Sequence, residues 1–325
     1  MLKPGLYEQV INKELGREID QATDQVKSVA PIDKAEASKV LAKYLTEIIE
    51  KGLENVKDKD GNIDKQINLA NKIVQIINAE TQENDFEGLT VDQRAQQLLA
   101  ILNRQNTIYA VNENAEVVRP KTSIAQSSLF TGAVHEPSMY TELKKEIVSA
   151  DRIDMLVSFI KWSGLRLIIE ELRSFTQHGG KLRIITTSYM GATDTKAIEE
   201  LRQLPNTTIK VSYDTKRTRL HAKTYVFYRE TGFTTAYVGS SNLSNAAISS
   251  GLEWNVKVTA KDLPETLRKI DATFESYWNS AEFEEYSEDK KERLAQAIRA
   301  ERYHGNQDNN LFTFDITPYP YQQEI

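Results

Sequence analysis

The sequence contains no cysteine among its 325 residues. This absence excludes disulfide frameworks, thiolate zinc sites and cysteine nucleophiles together, and it favours an intracellular protein. No apolar run approaches the ~20 residues that a membrane-spanning helix needs, and the charged, amphipathic N-terminus has no signal-peptide core. We therefore predict a cytoplasmic protein that has no membrane partner.

Histidine is also scarce, with four residues in the chain and no His-x-x-x-His spacing typical of zinc sites. No close group of Asp and Glu surrounds His221 that could hold Mg²⁺. We therefore predict no metal and no cofactor. The net charge of −6 argues against coating by nucleic acid over the whole surface, yet Asp214 to Glu230 contains five basic and two acidic residues. Positive charge is therefore concentrated around this histidine.

The apolar pattern changes along the chain, and it predicts an all-α N-terminal domain over residues 1–110. Asp33 and Glu36 have the spacing of a capping box before an apolar run at helix periodicity. Thr90 and Gln93 repeat that spacing and predict the start of a later helix through a leucine-rich stretch. The first third of the chain is therefore expected to be helical.

Residues 111–137 are polar and irregular, which is typical of a linker. From residue 138 to 282, short β-type runs alternate with helical patterns, and this alternation predicts an α/β domain built on a mixed β-sheet flanked by helices. Residues 283–325 are expected to form a helical or irregular connector.

The stretch "TRLHAKTYVF" places His221 and Lys223 two residues apart at the start of a predicted strand, so both project from one face. A hairpin later, "GSSN" ends at Asn242, and Glu253 begins the next strand. Because these segments are neighbours in the predicted sheet, we expect the four side chains to converge at one edge.

These residue types suit metal-free phosphoryl transfer. His221 can attack phosphorus or donate a proton near neutral pH, and a carboxylate can fix its tautomer. Lys223, Asn242 and the backbone N–H groups of Ser240 and Ser241 can bind phosphate oxygens. We predict further substrate contacts from a set of basic residues around the site: Lys161, Lys216, Arg217 and Arg219.

The three segments "HAK", "GSSN" and "GLEWN" together resemble the signature of the phospholipase D superfamily, over about residues 138–280. The resemblance implies a phospholipase D-like fold and assigns the catalytic set to His221, Lys223, Ser240, Asn242 and Glu253. The superfamily's usual Asp falls on Tyr228. The spacing of the last two segments resembles the nuclease branch, in which one motif per chain is completed in a homodimer.

Longer stretches, including "FIKWSGLRLI" and "VSYDTKRTRLHAK", resemble the N-terminal region of bacterial superfamily 2 helicases that carry a phospholipase D-like domain. The final residues, "ITPYPYQQEI" (Ile316 to Ile325), resemble the entry to a helicase core. This resemblance implies that the chain is part of a larger helicase in DNA repair or phage defence, with nucleic acid, in particular DNA, as the partner.

Three functions remain open at this level. The first is a metal-independent nuclease that acts through a phosphohistidine at His221. The second is a catalytically silent DNA-binding module that orients the helicase, and the third is a phospholipase. No basic amphipathic helix of the membrane-binding type supports the third. Turnover of labelled oligonucleotides, compared with binding alone, separates the first two.

Overall fold

The structure is a computed structural model of the chain, and it describes residues 3, 5–23, 26–57, 62–81, 84–101, 117–216, 219–247 and 253–311. Its contacts divide into two compact units, Met1–Thr107 and Ile108–Ile325. No helix in the described ranges is both long enough and apolar enough to cross a membrane.

The first unit is helical, as predicted. Its α-helices are α1 (Lys13–Gln21), α2 (Ala37–Asn55) and α3 (Asp64–Thr81), followed by a 3₁₀-helix at Asn84–Leu89. Helix α1 begins at Asn12, whose side chain accepts a hydrogen bond from the Leu15 N–H. Helix α2 begins later than its predicted capping box, because the Asp33 carboxylate accepts from the Ala35 N–H and closes a local turn first.

The helix predicted to begin at Thr90 and Gln93 is wrong, since residues 91–101 are not helical. The Asn71 side chain of α3 exchanges two hydrogen bonds with the backbone of Val91, at 2.7 and 3.0 Å, and fixes it outside a helix. The Asp92 carboxylate then accepts from the Arg94 N–H, and Ala95 adopts φ +52°. These bonds from side chain to backbone compete with helix formation.

The second unit is built on a mixed sheet of eight strands in the described ranges, which confirms the predicted fold class. The strands are β1 (Ser128–Phe130), β2 (Arg152–Val157), β3 (Lys181–Thr187), β4 (Thr207–Ser212), β5 (Lys223–Tyr228), β6 (Thr235–Gly239), β7 (Asn255–Thr259) and β8 (Phe283–Glu285). Their order is β1-β7-β6-β5-β2-β3-β4-β8. Strands β2, β3 and β4 are parallel, and all other neighbours are antiparallel.

Helices cover both faces of the sheet. They are α4 (Met139–Val148), the short α5 (Trp162–Leu165), α6 (Ile169–Gln177), α7 (Thr195–Arg202), α8 (Pro264–Trp278) and α9 (Lys291–Leu311). Tyr225 and Phe227 of β5 belong to the main core, with residues of α4, α6, α7 and α9. Val226 faces the other side, where Leu267 of α8 packs. Strand β5 therefore alternates between two apolar layers, as its sequence predicts.

Several boundaries differ from the sequence-based prediction. Strand β5 begins at Lys223, so His221 precedes the strand instead of opening it. Strand β1 lies inside the segment predicted to be a linker and pairs with β7. Its three residues are too short for an alternating pattern to be read from the sequence. Strand β8 and helix α9 fall within the predicted connector, from residue 283 onward.

A buried network of charged side chains joins the segment before α4 to the sheet. The fully buried Glu142 carboxylate accepts from the N–H groups of Lys121 and Thr122, at 2.9 and 3.0 Å. Lys257 of β7, also fully buried, donates to the Thr122 hydroxyl at 2.9 Å and pairs with Glu146 at 2.9 Å. Arg229 completes the network on Glu146. Each buried charge thus has a partner, as burial requires.

Candidate active site

The candidate site forms where the chain leaves β2. Val157 of β2 is opposite Lys223 of β5, and the next residue, Ser158, donates its hydroxyl to the Ala222 carbonyl at 3.3 Å. The Phe159 N–H donates to the Asn242 side-chain oxygen at 3.2 Å. Two consecutive residues therefore bring together the His-x-Lys segment and the Gly-Ser-Ser-Asn turn, as predicted.

His221 and Lys223 contact each other directly. The Lys223 Nζ lies 3.0 Å from His221 Nδ1 and donates to the His221 carbonyl at 2.7 Å. His221 is exposed, whereas only 6% of Lys223 is exposed. Burial lowers the pKa of Lys223, and the nearby Glu253 carboxylate acts in the opposite direction. The imidazole thus faces solvent, while the largely buried ammonium of Lys223 contacts its inner nitrogen, Nδ1.

The lysine contact bears on the imidazole tautomer. A protonated Lys223 can only donate, so His221 Nδ1 then accepts and a neutral ring carries its proton on Nε2. In this arrangement His221 is a proton donor at its outer nitrogen. Nε2 carries a free lone pair only when the lysine turns to another acceptor and Nδ1 takes up the proton.

Asn242 presents its amide donors to the same place. Its side chain is 94% buried, with 6% exposed, and its oxygen accepts from the Phe159 N–H. This bond fixes which end of the amide is which, because only the oxygen can accept. No partner of the Asn242 Nδ2 is found among the described residues. Its two N–H groups are therefore available to an oxygen of a bound anion.

The turn before Asn242 is held by two residues that the sequence analysis did not select, Asn255 and Tyr225. The Asn255 side chain donates to Ser241 Oγ at 2.7 Å and accepts from the Ser241 N–H at 3.4 Å. The Tyr225 hydroxyl donates to the Ser241 carbonyl at 3.0 Å. A Cβ at Gly239 would lie 2.1 Å from the Trp254 carbonyl, so this close approach requires glycine.

The backbone N–H groups of Ser240 and Ser241, which we expected to bind phosphate, are already engaged. Ser240 donates to the Trp254 carbonyl at 3.1 Å, and Ser241 donates to Asn255. The Ser240 hydroxyl accepts from the Trp254 N–H at 3.1 Å. In this structure, Lys223 and Asn242 are consequently the better-placed donors for an anion.

Glu253 lies close enough to act electrostatically on the site. It is half-buried, and its charge opposes the lowering of the Lys223 pKa. Burial, reinforced by the same carboxylate, raises the pKa of the Tyr225 phenol. Glu253 therefore influences Lys223 through its charge, and no hydrogen bond or ion pair joins the two side chains among the described residues.

The predicted substrate contacts differ in placement. The Lys161 N–H donates to the Leu243 carbonyl at 2.9 Å, beside the Gly-Ser-Ser-Asn turn, and its side chain is exposed. Lys216 and Arg219 are exposed on the approach to His221. Arg219 has φ +42°, a left-handed conformation that is costly for a residue with a side chain. Arg217 lies outside the described residues.

The residue at the position of the superfamily's usual Asp makes a different contact. The Tyr228 hydroxyl donates to Asp271 of α8 at 2.6 Å, and the Arg152 guanidinium lies 3.6 Å from the centroid of its ring. Asp154, Asp271 and Glu275 could also form a three-carboxylate metal site by spacing. Their oxygens are instead paired with the guanidinium groups of two arginines: Arg152 and Arg183.

A family model described as "Cardiolipin synthase, PLD-like domain" matches residues 143–278, where PLD stands for phospholipase D. Over residues 143–278 the chain is similar to the phospholipase D-like domains that this model describes. The match includes β2 to β7 and every residue of the candidate site. It therefore confirms, for this part of the chain, the superfamily that the three short motifs indicated.

Solved structures with similarity to the chain include NucT from Helicobacter pylori, at 19% identity, 50% coverage of this chain, 99% coverage of that chain and a TM-score of 0.41. Nuc from Salmonella typhimurium, a phospholipase D family member, is 20% identical to this chain. The match covers 50% of this chain and 99% of that chain, with a TM-score of 0.39. Phosphatidylserine synthase from Haemophilus influenzae is 9% identical to this chain. The match covers 57% of this chain and 45% of that chain, with a TM-score of 0.39. No curated protein matches the chain.

Proposed function

We propose that the phospholipase D-like domain is a hydrolase that cleaves phosphodiester bonds in nucleic acid without a metal, through a phosphohistidine at His221. The observation that carries this proposal is the contact of Lys223 with His221 Nδ1, at 3.0 Å, beside the Asn242 amide, whose Nδ2 has no partner among the described residues. An imidazole, an ammonium and an amide supply a nucleophile and two phosphate ligands with no metal ion required.

The reaction has two displacements at phosphorus. In the first, a bare Nε2 of His221 forms a P–N bond while the bond from phosphorus to the leaving oxygen breaks, and an acid gives that oxygen its proton. In the second, water attacks phosphorus, the P–N bond breaks, and the same acid, now a base, accepts the proton of the water. When phosphate binds, Lys223 exchanges its contact with the imidazole for one with a phosphate oxygen.

Nucleic acid is the proposed substrate class, since basic residues are concentrated on the approach to His221. Lys216 and Arg219 are exposed there, and the surrounding segment from Asp214 to Glu230 holds five basic and two acidic residues. Phosphate contacts of this kind position a strand without reading its sequence. The same charge would serve a phospholipid head group poorly unless an apolar membrane contact were added.

Cleavage of end-labelled oligonucleotides in excess EDTA tests the proposal. We expect strand scission to continue in EDTA, because Lys223 and Asn242 supply the charge stabilisation that a metal would otherwise give. Binding without scission would instead support the silent DNA-binding module. Release of head groups from phospholipid vesicles, with no scission of nucleic acid, would support the phospholipase.

We further propose that the domain acts as a homodimer, because the two-step reaction uses both a nucleophile and an acid. In this structure the Lys223 contact leaves the His221 Nε2 as a proton donor, which is the acid's state. A second copy, with its imidazole in the other tautomer, would supply the nucleophile. A two-fold axis near the Gly-Ser-Ser-Asn turns would bring both rings together.

Light scattering tests this assembly. We expect the mass of a dimer at tens of micromolar protein, and we expect the specific activity to fall on dilution below the dimer dissociation constant, because a monomer has one imidazole at the site. A protein that remains monomeric at the concentrations of the assay and is fully active would contradict the shared site.

The helicase association is proposed from sequence resemblance alone, and residues 316–325 lie outside the described residues. We propose that the domain delivers strand cleavage to a C-terminal helicase core during DNA repair or phage defence in the cytoplasm. Mass spectrometry of the native protein in its host is the direct check, since a helicase core would add several hundred residues to this chain.

A further inference from the structure

The loop that follows β2 presents two aromatic rings, each with a lysine ammonium over it, beside the candidate site. Lys161 Nζ lies 5.8 Å from the centroid of the Phe159 ring. Lys196 Nζ lies 4.3 Å from the centroid of the Trp162 ring. We call these four residues the aromatic–lysine surface. Alternating aromatic rings and cations are the means by which proteins bind single-stranded nucleic acid.

This loop is attached firmly to the turn that carries Asn242. The Phe159 N–H donates to the Asn242 side chain at 3.2 Å, and the Lys161 N–H donates to the Leu243 carbonyl at 2.9 Å. A Cβ at Gly164 would lie 2.5 Å from the backbone of Ser244, so the two segments are in close contact. A ring on this loop therefore has a fixed position relative to the proposed phosphate ligand.

Phe159 is the ring suited to stacking. It is half-buried and belongs to none of the three apolar core clusters of the described residues, so core packing does not account for it. Trp162, by contrast, packs against the main core, and Lys196 covers its ring. The Trp162 ring thus contacts the Lys196 ammonium, while the Phe159 ring is the one available to stack with a nucleobase.

The two lysines are available to phosphates. Both are exposed, and no carboxylate in the described ranges pairs with either of them. Asp194, at the N-terminus of α7, accepts from the Trp162 N–H at 2.9 Å and lies 4.0 Å from Arg302. Its charge is therefore already partly compensated.

On the basis of the proposed function, we propose that the aromatic–lysine surface binds single-stranded nucleic acid, with the base next to the scissile phosphate stacked on Phe159. A phosphate held by Lys223 and Asn242 would place its neighbouring nucleotide over this loop, while Lys161 and Lys196 would contact the phosphates that follow. Bases in a duplex are stacked on each other and cannot make this contact, so the surface selects unpaired strands.

The test measures binding, so that it does not depend on turnover. Fluorescence anisotropy compares a labelled oligothymidylate, the same strand with abasic tetrahydrofuran sugars in place of nucleosides, and a duplex, all on the full chain with His221→Ala to prevent cleavage. Phe159→Ala should weaken oligothymidylate binding about 5- to 150-fold, the usual cost of losing one base–aromatic stack. Binding of the abasic strand should not change, and Phe159→Trp should restore the oligothymidylate affinity.

The matched control is Phe233→Ala. Phe233 also has a lysine over its ring, with Lys261 Nζ at 4.7 Å, but it lies in the β5–β6 turn at the opposite end of the sheet. Its loss should leave all affinities unchanged. Equal binding of normal and abasic strands by the Phe159-containing chain, or tighter binding of the duplex, would overturn this inference alone. Failure to bind any of the three probes would count against the proposed nucleic-acid function itself.

Discussion

Replacing His221 by alanine should abolish strand cleavage while leaving the fold intact. His221 is exposed and lies outside the strands, and among the described residues its side chain contacts Lys223 alone, so its removal opens no cavity. A cysteine cannot take over the attack on phosphorus, because the chain has none. Cleavage of an end-labelled single strand in EDTA measures the loss, and circular dichroism checks the fold.

His178→Ala is the matched control for this substitution. His178 is also exposed, and its Nδ1 lies 2.7 Å from the Ser174 carbonyl at the end of α6. It precedes β3, at the opposite end of the sheet from the candidate site. We expect full activity in this variant. Comparable loss in both variants would mean that the His221 effect is not chemical.

The covalent intermediate gives the same prediction a direct signature. Substrate labelled on the phosphate that stays with the enzyme should leave label on the peptide that contains His221. A P–N bond is labile in acid and survives in base, so the label should persist only after an alkaline quench. Cleavage that stops in EDTA and returns with Mg²⁺, with no labelled peptide, would exclude the phosphohistidine route.

Replacing Lys223 by alanine should lower the cleavage rate about 10²- to 10³-fold, which is the usual effect of losing one donor to developing negative charge. Lys223 is the ammonium nearest to the imidazole, and the described contacts offer only Asn242 as a second donor. Single-turnover rates at saturating strand isolate the chemical step. Lys144→Ala is the control, since Lys144 forms a surface ion pair with Glu171 at 2.7 Å.

The pH profile separates the charge of Lys223 from its bulk. Because burial lowers the pKa of this ammonium, the rate should fall with rising pH earlier than an ordinary lysine would allow. Above this lowered pKa the Lys223 nitrogen loses its proton and its charge, so it no longer stabilises the phosphate oxygens. Lys223→Arg should keep some activity and lose this alkaline decline, since arginine stays protonated. An unchanged decline would assign it to another group.

The sequence was sufficient to predict the parts of the fold and of the site that depend on local pattern. Alternation of strands and helices predicts the mixed sheet, because each element buries one face at its own period. His221, Lys223 and Asn242 meet at one end of the sheet, since β2 and β5 are neighbours and β6 ends in the Gly-Ser-Ser-Asn turn. Motifs at the ends of adjacent strands therefore lie close together in space.

Contacts between a side chain and a distant backbone could not be predicted in this way. Phe159 reaches Asn242 across 83 positions, and no periodicity in either segment encodes that bond. Asn255 did carry a faint signal, because asparagine is uncommon in strands and it stands two residues after Glu253. The false helix at Thr90 has the same origin, since Asn71 of a neighbouring helix determines the backbone there.

The buried network at Glu142 and Lys257 determines how short an independently stable fragment can be. The family match begins at residue 143, which would suggest cutting the chain just before it. Such a cut would remove Thr122 and the strand β1, leaving Lys257 without its hydroxyl acceptor and β7 as an unprotected sheet edge. Retaining Glu142 alone would bury a carboxylate without its donors, a costly state. The smallest useful fragment for crystallisation or assay therefore starts ahead of Lys121, upstream of residue 143, where the family match begins.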